Sequence, residues 1–164
     1  MNLRRKYKNR MQSWSQSNTI KRLDMTKIRY IGKQDKQFWF KLDKHLPEKE
    51  FENKIKLKQG YILEKDSIQI GILRYNLFWD SIPFCTMLYI DEKFQNQGFG
   101  SILLSHWEND MKKKGYRLLL TSTRSDETSQ HFYRKAGYKD CGGLILSEED
   151  TMQTLELFLS KYIC

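Results

Sequence analysis

The reading turns on "DEKFQNQGFGSILLSHWENDM", residues 91–111. Upstream, "FCTMLYI" is apolar and rich in strand formers; downstream, Leu103, Trp107 and Met111 recur every fourth residue, one stripe of a helix. Between them stand Gly98 and Gly100, where the first helical amides lack partners within the helix. A strand passing through a glycine turn into a helix makes an anion site, because free amides and the positive end of the helix dipole converge there. Glycine also lets a bulky phosphate approach the backbone without a Cβ in the way. The dinucleotide pattern G-x-G-x-x-G fails at Leu103, and the P-loop fails because no Gly-Lys-Ser/Thr follows.

Outward from this turn the chain alternates strands and helices. "KIRYI" (27–31) reads as a first strand. Helices over 35–46 and 47–58 come next, the second opened by Pro47 and stopped by Gly60. "YILEK" and "SIQIGILRYNLFW" form a hairpin around Lys65-Asp66-Ser67, and "IPFCTMLYI" (82–90) is the next strand. Helix 98–114 ends at Gly115 and leads to a strand at 116–123. A helix then runs from Ser125 or Asp126 as N-cap to Gly137, and strands near 138–146 and 154–163 complete the chain. The order β-α-α-β-β-β-α-β-α-β-β describes a mixed α/β domain with helices packed on a central sheet.

A chain of 164 residues, 13% of them aromatic, suits one domain with a proper core. Residues 1–24 hold seven basic side chains and one acid, a net +6, which leaves +3 of the total +9 for the rest. The excess therefore describes a basic, flexible extension (1–25) ahead of a domain at 26–164, and does not argue for a nucleic-acid partner. No apolar run reaches the ~20 residues of a membrane span. The basic N-terminus lacks the apolar stretch of a secretory signal. Cys85, Cys141 and Cys164 share no metal-ligand spacing; the expectation is reduced thiols in a cytoplasm, with no bound metal.

"QNQGFG" resembles the Gln/Arg-x-x-Gly-x-Gly/Ala motif of the GCN5-related N-acetyltransferases (GNAT), at Gln95, Gly98 and Gly100. "SQHFYRKAGYKDCG" resembles the second signature of that family, at Phe132, Tyr133, Gly137 and Tyr138. The resemblance covers roughly residues 26–164. It implies a mainly antiparallel central sheet flanked by helices, with strands splayed around an acetyl-coenzyme A site. It implies that the loop Gln95, Asn96, Gln97, Gly98, Phe99, Gly100 and on to Ser101 holds the pyrophosphate, and that backbone groups of Leu88, Tyr89 and Ile90 pair with the pantetheine. The family often has Asn at the head of the second motif's helix and Ala three residues later; here these are Asp126 and Ser129, also counted as cofactor-binding positions.

Acetyl transfer needs an uncharged amine, a polarised thioester carbonyl and a proton for the leaving thiolate. By the resemblance, Tyr133 reaches the sulfur, and a phenol of pKa about 10 can protonate a thiolate. A backbone amide near Leu88 is the candidate to polarise the carbonyl. Asp80, in "NLFWDSIPF", is the leading candidate base, although Asp-Ser-x-Pro is also ordinary turn chemistry; Asp91, Glu92 and a water-mediated route stay open. Cys85 reads as core. Tyr75, Phe78 and Trp79 are candidates to line an acceptor pocket, and Asp35, Asp43 and Asp80 to attract a cationic amine. The expected function is direct acetyl transfer to a primary amine of a small molecule or protein. The alternative is a non-catalytic acyl-coenzyme A module of the same fold. The C-terminal strands are the expected route to any homodimer.

Overall fold

A computed structural model of the chain describes residues 26–145 and 154–164. The expected 1–25 extension and its boundary at Met25 fall outside these residues. The element order is as the sequence predicts: β1 (Thr26–Tyr30), α1 (Lys36–Leu42), α2 (Glu48–Lys56), β2 (Gly60–Lys65), β3 (Ile68–Phe78), β4 (Ile82–Ile90), α3 (Phe99–Lys113), β5 (Leu118–Arg124), α4 (Ser129–Lys135), β6 (Lys139–Leu144) and β7 (Glu156–Tyr162). The seven strands form one sheet in the order β1-β2-β3-β4-β5-β7-β6, antiparallel throughout except where β4 meets β5.

Alternation along the strands sorts the core into two layers. Ile62 and Ile72 pack with Trp39 of α1 and Phe51 of α2, with Met87 and Tyr89 of β4 beside them. Leu63, Leu73 and Cys85 face the other way, onto Phe99, Leu103, Leu104, Trp107 and Met111 of α3. The helical stripe seen in the sequence is therefore the buried face of α3, with Leu103, Trp107 and Met111 fully covered. The β2–β3 hairpin turns on Asp66 and Ser67, both at positive φ, which suits a two-residue turn between twisted strands.

Three helix boundaries differ from the sequence expectation, and the strands expected at 116–123 and 154–163 are trimmed to Leu118–Arg124 and Glu156–Tyr162. The first helix ends at Leu42 rather than 46, because Asp43 leaves the helical region and commits its buried carboxylate to Arg74 (2.7 Å) and to the His45 amide (3.2 Å). The second helix is closed by Lys58 at φ 52, not by Gly60, and Pro47 is its extended N-cap. Gly60 instead opens β2, where a Cβ would meet Ile31 Cδ1 at 2.7 Å and Trp39 Cη2 at 3.2 Å. Finally, α4 starts at Ser129. Asp126 does not cap it, because Arg124 holds that carboxylate in a two-pronged ion pair.

Asp35 and Asp43 are fully buried and engaged, which removes both as candidates to attract an amine. Asp35 accepts from Arg29 through two bonds of 2.7 Å, from the Gly32 amide at 2.7 Å and from Gln69 at 2.5 Å. Burial alone would raise this carboxyl's pKa, but Arg29, the Gly32 amide and Gln69 together pull it below the ordinary value. Unfolded Asp titrates near 3.9. With the folded value lower, the contribution is complete above pH ~4 and is lost as pH falls through the folded value. Asp35→Asn is expected to cost on the order of 2 kcal/mol at neutral pH, discounted for the partial exposure of Arg29. Urea midpoints between pH 5 and 2 should fall less steeply for this variant than for the parent. Parallel slopes would show that Asp35 does not govern acid unfolding.

Candidate active site

The parallel pairing of β4 and β5 lasts only for Phe84 with Leu120 and Cys85 with Thr121. There Thr121 Oγ1 donates to the Cys85 carbonyl at 3.1 Å. Beyond this point the strands part. A bulge in β4 leaves Thr86 without a β3 partner, and Arg74 Nη1 donates to its hydroxyl at 2.8 Å. Bulges bend a strand and turn the residues beyond them in a new direction. The second half of β4 consequently presents an open backbone edge to a cleft of about 760 Å³.

At the mouth of the cleft stands the N-terminus of α3. Gly98 occupies the left-handed region at φ 88, no side chain caps the helix, and a Cβ on Gly98 would meet nothing within 4 Å. The amides of Phe99, Gly100 and Ser101 have no partner within the helix, so this end offers donors and a positive dipole to an anion. Asn96 also takes positive φ, at 57°, and tightens the turn. Gln95 serves the loop from behind: its side-chain amide donates to the Ile90 carbonyl at 2.8 Å and pins the turn to the end of β4. Gln97 does likewise on the Lys93 carbonyl at 3.1 Å.

The far wall is α4. Tyr133 lines the cleft from this helix and is 6% exposed, with its phenol against Cys85 and Thr121 at the point where the strands part. Burial, then the neighbouring Cys85, pushes the phenol well above its ordinary pKa, so it stays protonated at neutral and moderately alkaline pH. Burial pushes the Cys85 thiol up to about 12. A thiol so fully protonated is a poor nucleophile, which agrees with its reading as core.

Ten of the predicted site residues line the cleft: Leu88, Tyr89, Ile90, Gln95, Asn96, Gly98, Gly100, Ser101, Ser129 and Tyr133. Phe99 lies beneath them in the core at 1% exposure, facing Phe94. The side chains of Gln97 and Asp126 stand outside. Asp80 is exposed in the β3–β4 turn at φ 58. The strand from Ile82 to Leu88 puts roughly 20 Å between that turn and the open edge. Tyr75 is buried in the core, while Phe78 and Trp79 join Phe84 and Phe158 in a ring cluster with centroids 4.7–6.4 Å apart.

The cleft also holds residues that the sequence reading missed. Ser105 and Glu108 extend the line of Ser101 down one side of α3, a polar seam at helical spacing that the pattern could have shown. Glu108 Oε2 accepts from Lys161 Nζ of β7 at 2.7 Å, and Lys135 of α4 stands at the rim. No local pattern connects Lys161 to Glu108 across 53 residues. Glu108 is the one carboxylate among the described residues that line the cleft; its Oε2 is ion-paired with Lys161, while its buried Oε1 has no hydrogen-bond partner.

The Acetyltransferase (GNAT) domain family model matches residues 56–140. No curated protein matches the chain by sequence. Several solved structures share its fold. Ard1 from Thermoplasma volcanium superposes with a TM-score of 0.75 at 13% identity, over 85% of this chain and 99% of that one. The ribosomal-protein-S18-alanine N-acetyltransferase from Escherichia coli gives 0.71 at 17%, over 85% and 94%. A GNAT family acetyltransferase from Elizabethkingia anophelis with acetyl-CoA bound gives 0.67 at 20%, over 85% and 99%.

Proposed function

The chain belongs to the GNAT acetyltransferase family, and on that premise we propose that it moves the acetyl group of acetyl-coenzyme A directly onto a primary amine. The observation that carries this is the open edge of β4 lying beside an uncapped α3 N-terminus within one cleft. A pyrophosphate suits the amides of residues 99–101, and the left-handed, unobstructed Gly98 leaves room for it. The amide-bearing pantetheine arm suits the open edge of β4 at Leu88 and Ile90, as an added strand would; Tyr89 between them pairs with Ile72 of β3, and the Ile90 carbonyl already accepts from Gln95.

In this reading the chain does three things. The β4 edge fixes the thioester, and a backbone amide near Leu88 faces its carbonyl oxygen, where negative charge develops. Tyr133 gives its proton to the leaving sulfur. Removal of the amine's proton falls to water or to a backbone carbonyl rather than to Asp80, which lies far from the open edge.

The lack of an unpaired carboxylate among the described cleft-lining residues favours the second reading, a non-catalytic acyl-coenzyme A module. An acceptor screen with purified protein and acetyl-coenzyme A, following release of free coenzyme A, separates the two. Turnover on any amine supports the enzyme. Tight cofactor binding with no turnover across small-molecule and peptide amines supports the module. No described helix is long and apolar enough to cross a membrane; a cytoplasmic location is part of the proposal, as is an acceptor that is either a small-molecule or a protein amine.

Among the described residues, β6 is the outer strand of its edge and is exposed along its length. Its ladder is interrupted at Cys141, where the register to β7 shifts between Asp140 and Gly142. A bulged edge pairs poorly with another strand. A homodimer formed by extending this edge is therefore disfavoured.

A further inference from the structure

The head of α4 departs from the family pattern at Asp126 and Ser129, and the structure treats the two positions differently. Asp126 is exposed and held by Arg124 at 2.8 and 3.1 Å. Ser129 lines the cleft. Its hydroxyl donates to Glu127 Oε2 at 3.2 Å, the hydroxyl of buried Thr123 donates to the same oxygen at 3.2 Å, and the two hydroxyls also touch each other.

We infer that the Glu127–Thr123–Ser129 triangle makes Ser129 a hydrogen-bond acceptor for one amide N–H of the pantetheine arm, a polar subsite displaced from position 126 to position 129. This rests on the acetyl-coenzyme A reading of the cleft.

Hydrogen-bond arithmetic supports it. An ionised carboxylate only accepts, and each hydroxyl has one proton and two lone pairs. The triangle offers three contacts and two protons. Both protons are used inside it, whether each goes to Glu127 or one passes between the hydroxyls. Neither is left to point into the cleft. Thr123 is buried and does not line the cleft, so what the ligand meets is a lone pair on Ser129. A ligand carbonyl at that point would set lone pair against lone pair, whereas an amide N–H would be satisfied. The pantetheine arm has two such N–H groups. An alanine at 129 would leave the wall silent, and an unsupported serine would offer either polarity by rotating its hydroxyl. Glu127 removes that freedom.

The test is a binding cycle that needs no turnover. Calorimetry measures coenzyme A and two analogues, each with one pantetheine amide N–H replaced by an ester oxygen, against the parent and Ser129→Ala. One ester is expected to bind the parent about fivefold or more weakly than coenzyme A, the worth of one hydrogen bond. Against Ser129→Ala that penalty should largely disappear, because its partner is gone; effects of the ester unrelated to Ser129 cancel in the comparison. Glu127→Ala should also shrink the penalty, since the freed hydroxyl proton then competes for the cleft side. The inference is overturned if both esters keep the same penalty on Ser129→Ala as on the parent, or if neither is penalised on the parent. Failure of coenzyme A itself to bind the parent would instead bring down the acetyl-coenzyme A reading, and this inference with it.

Discussion

Gly98→Glu should abolish measurable binding of acetyl-coenzyme A while leaving the domain folded. Two effects add. Gly98 sits at φ 88, a conformation that costs an L-residue about 1–2 kcal/mol. That strain falls on the loop, because a Cβ there would meet no other atom within 4 Å. The larger effect is electrostatic. A carboxylate at the head of α3 would occupy the free amides of residues 99–101 and oppose an incoming pyrophosphate. An anion at a helix N-terminus gains about 0.3–1 kcal/mol, up to ~2 when partly buried, and the substitution both takes that gain from the ligand and adds repulsion. A loss on the order of 100-fold or more is expected, against only a few-fold for Gly98→Ala, which carries the strain without the charge. Calorimetry on both variants, with melting temperatures alongside, checks this. Equal and small losses would show that the ligand's phosphates lie elsewhere.

Tyr133→Phe should slow turnover by about 10²–10⁴-fold, the usual worth of a general acid. The ring is kept, so its contacts with Phe132 and Tyr138 at 5.1 and 5.6 Å survive, and little melting temperature should be lost. Cofactor affinity should change far less than rate, because the open edge of β4 and the glycine turn are untouched. Since burial holds the phenol's pKa high, the parent's rate should not fall at moderately alkaline pH through loss of the Tyr133 proton. Steady-state kinetics on an acceptor found by the screen provides the measurement. Turnover within about twofold of the parent would remove Tyr133 from the mechanism and leave backbone polarisation as the chain's contribution.

Much of this is legible in the sequence because it is written in local patterns. The strand, glycine turn and amphipathic helix around Gly98 need only neighbouring residues to be recognised, and so does the Phe132-Tyr133 signature. What escapes the sequence depends on partners that no local pattern names. Asp126 has the spacing of a helix cap, yet Arg124 holds it; Asp43 continues a helical pattern, yet Arg74 pulls it out. Gly60 reads as a stop signal, although its small size answers to Ile31 and Trp39. Lys161 reaches the cleft only because β7 lies beside β5 in the sheet. Asp80 illustrates the opposite error: a carboxylate near a strand end suggests chemistry, and the direction of β4 carries it away from the cleft.

The brief union of β4 and β5 also bears on how long the molecule lasts. Strand pairing between β4 and β5 is limited to two residue pairs and the Thr121 hydrogen bond, with the Phe78, Phe84 and Phe158 rings packed across one end of the seam and the open edge of β4 beyond it. On the acetyl-coenzyme A reading of the cleft, a fold completed by its co-substrate would have a durability that tracks supply. With acetyl-coenzyme A as that substrate, a concentration one hundred times its dissociation constant would add about 2.7 kcal/mol to the unfolding free energy. Proteases act on the small fraction of molecules that open, and that gain would thin the fraction about a hundredfold. A well-fed cell would keep this protein longer than a starved one, with no regulator required beyond the metabolite itself.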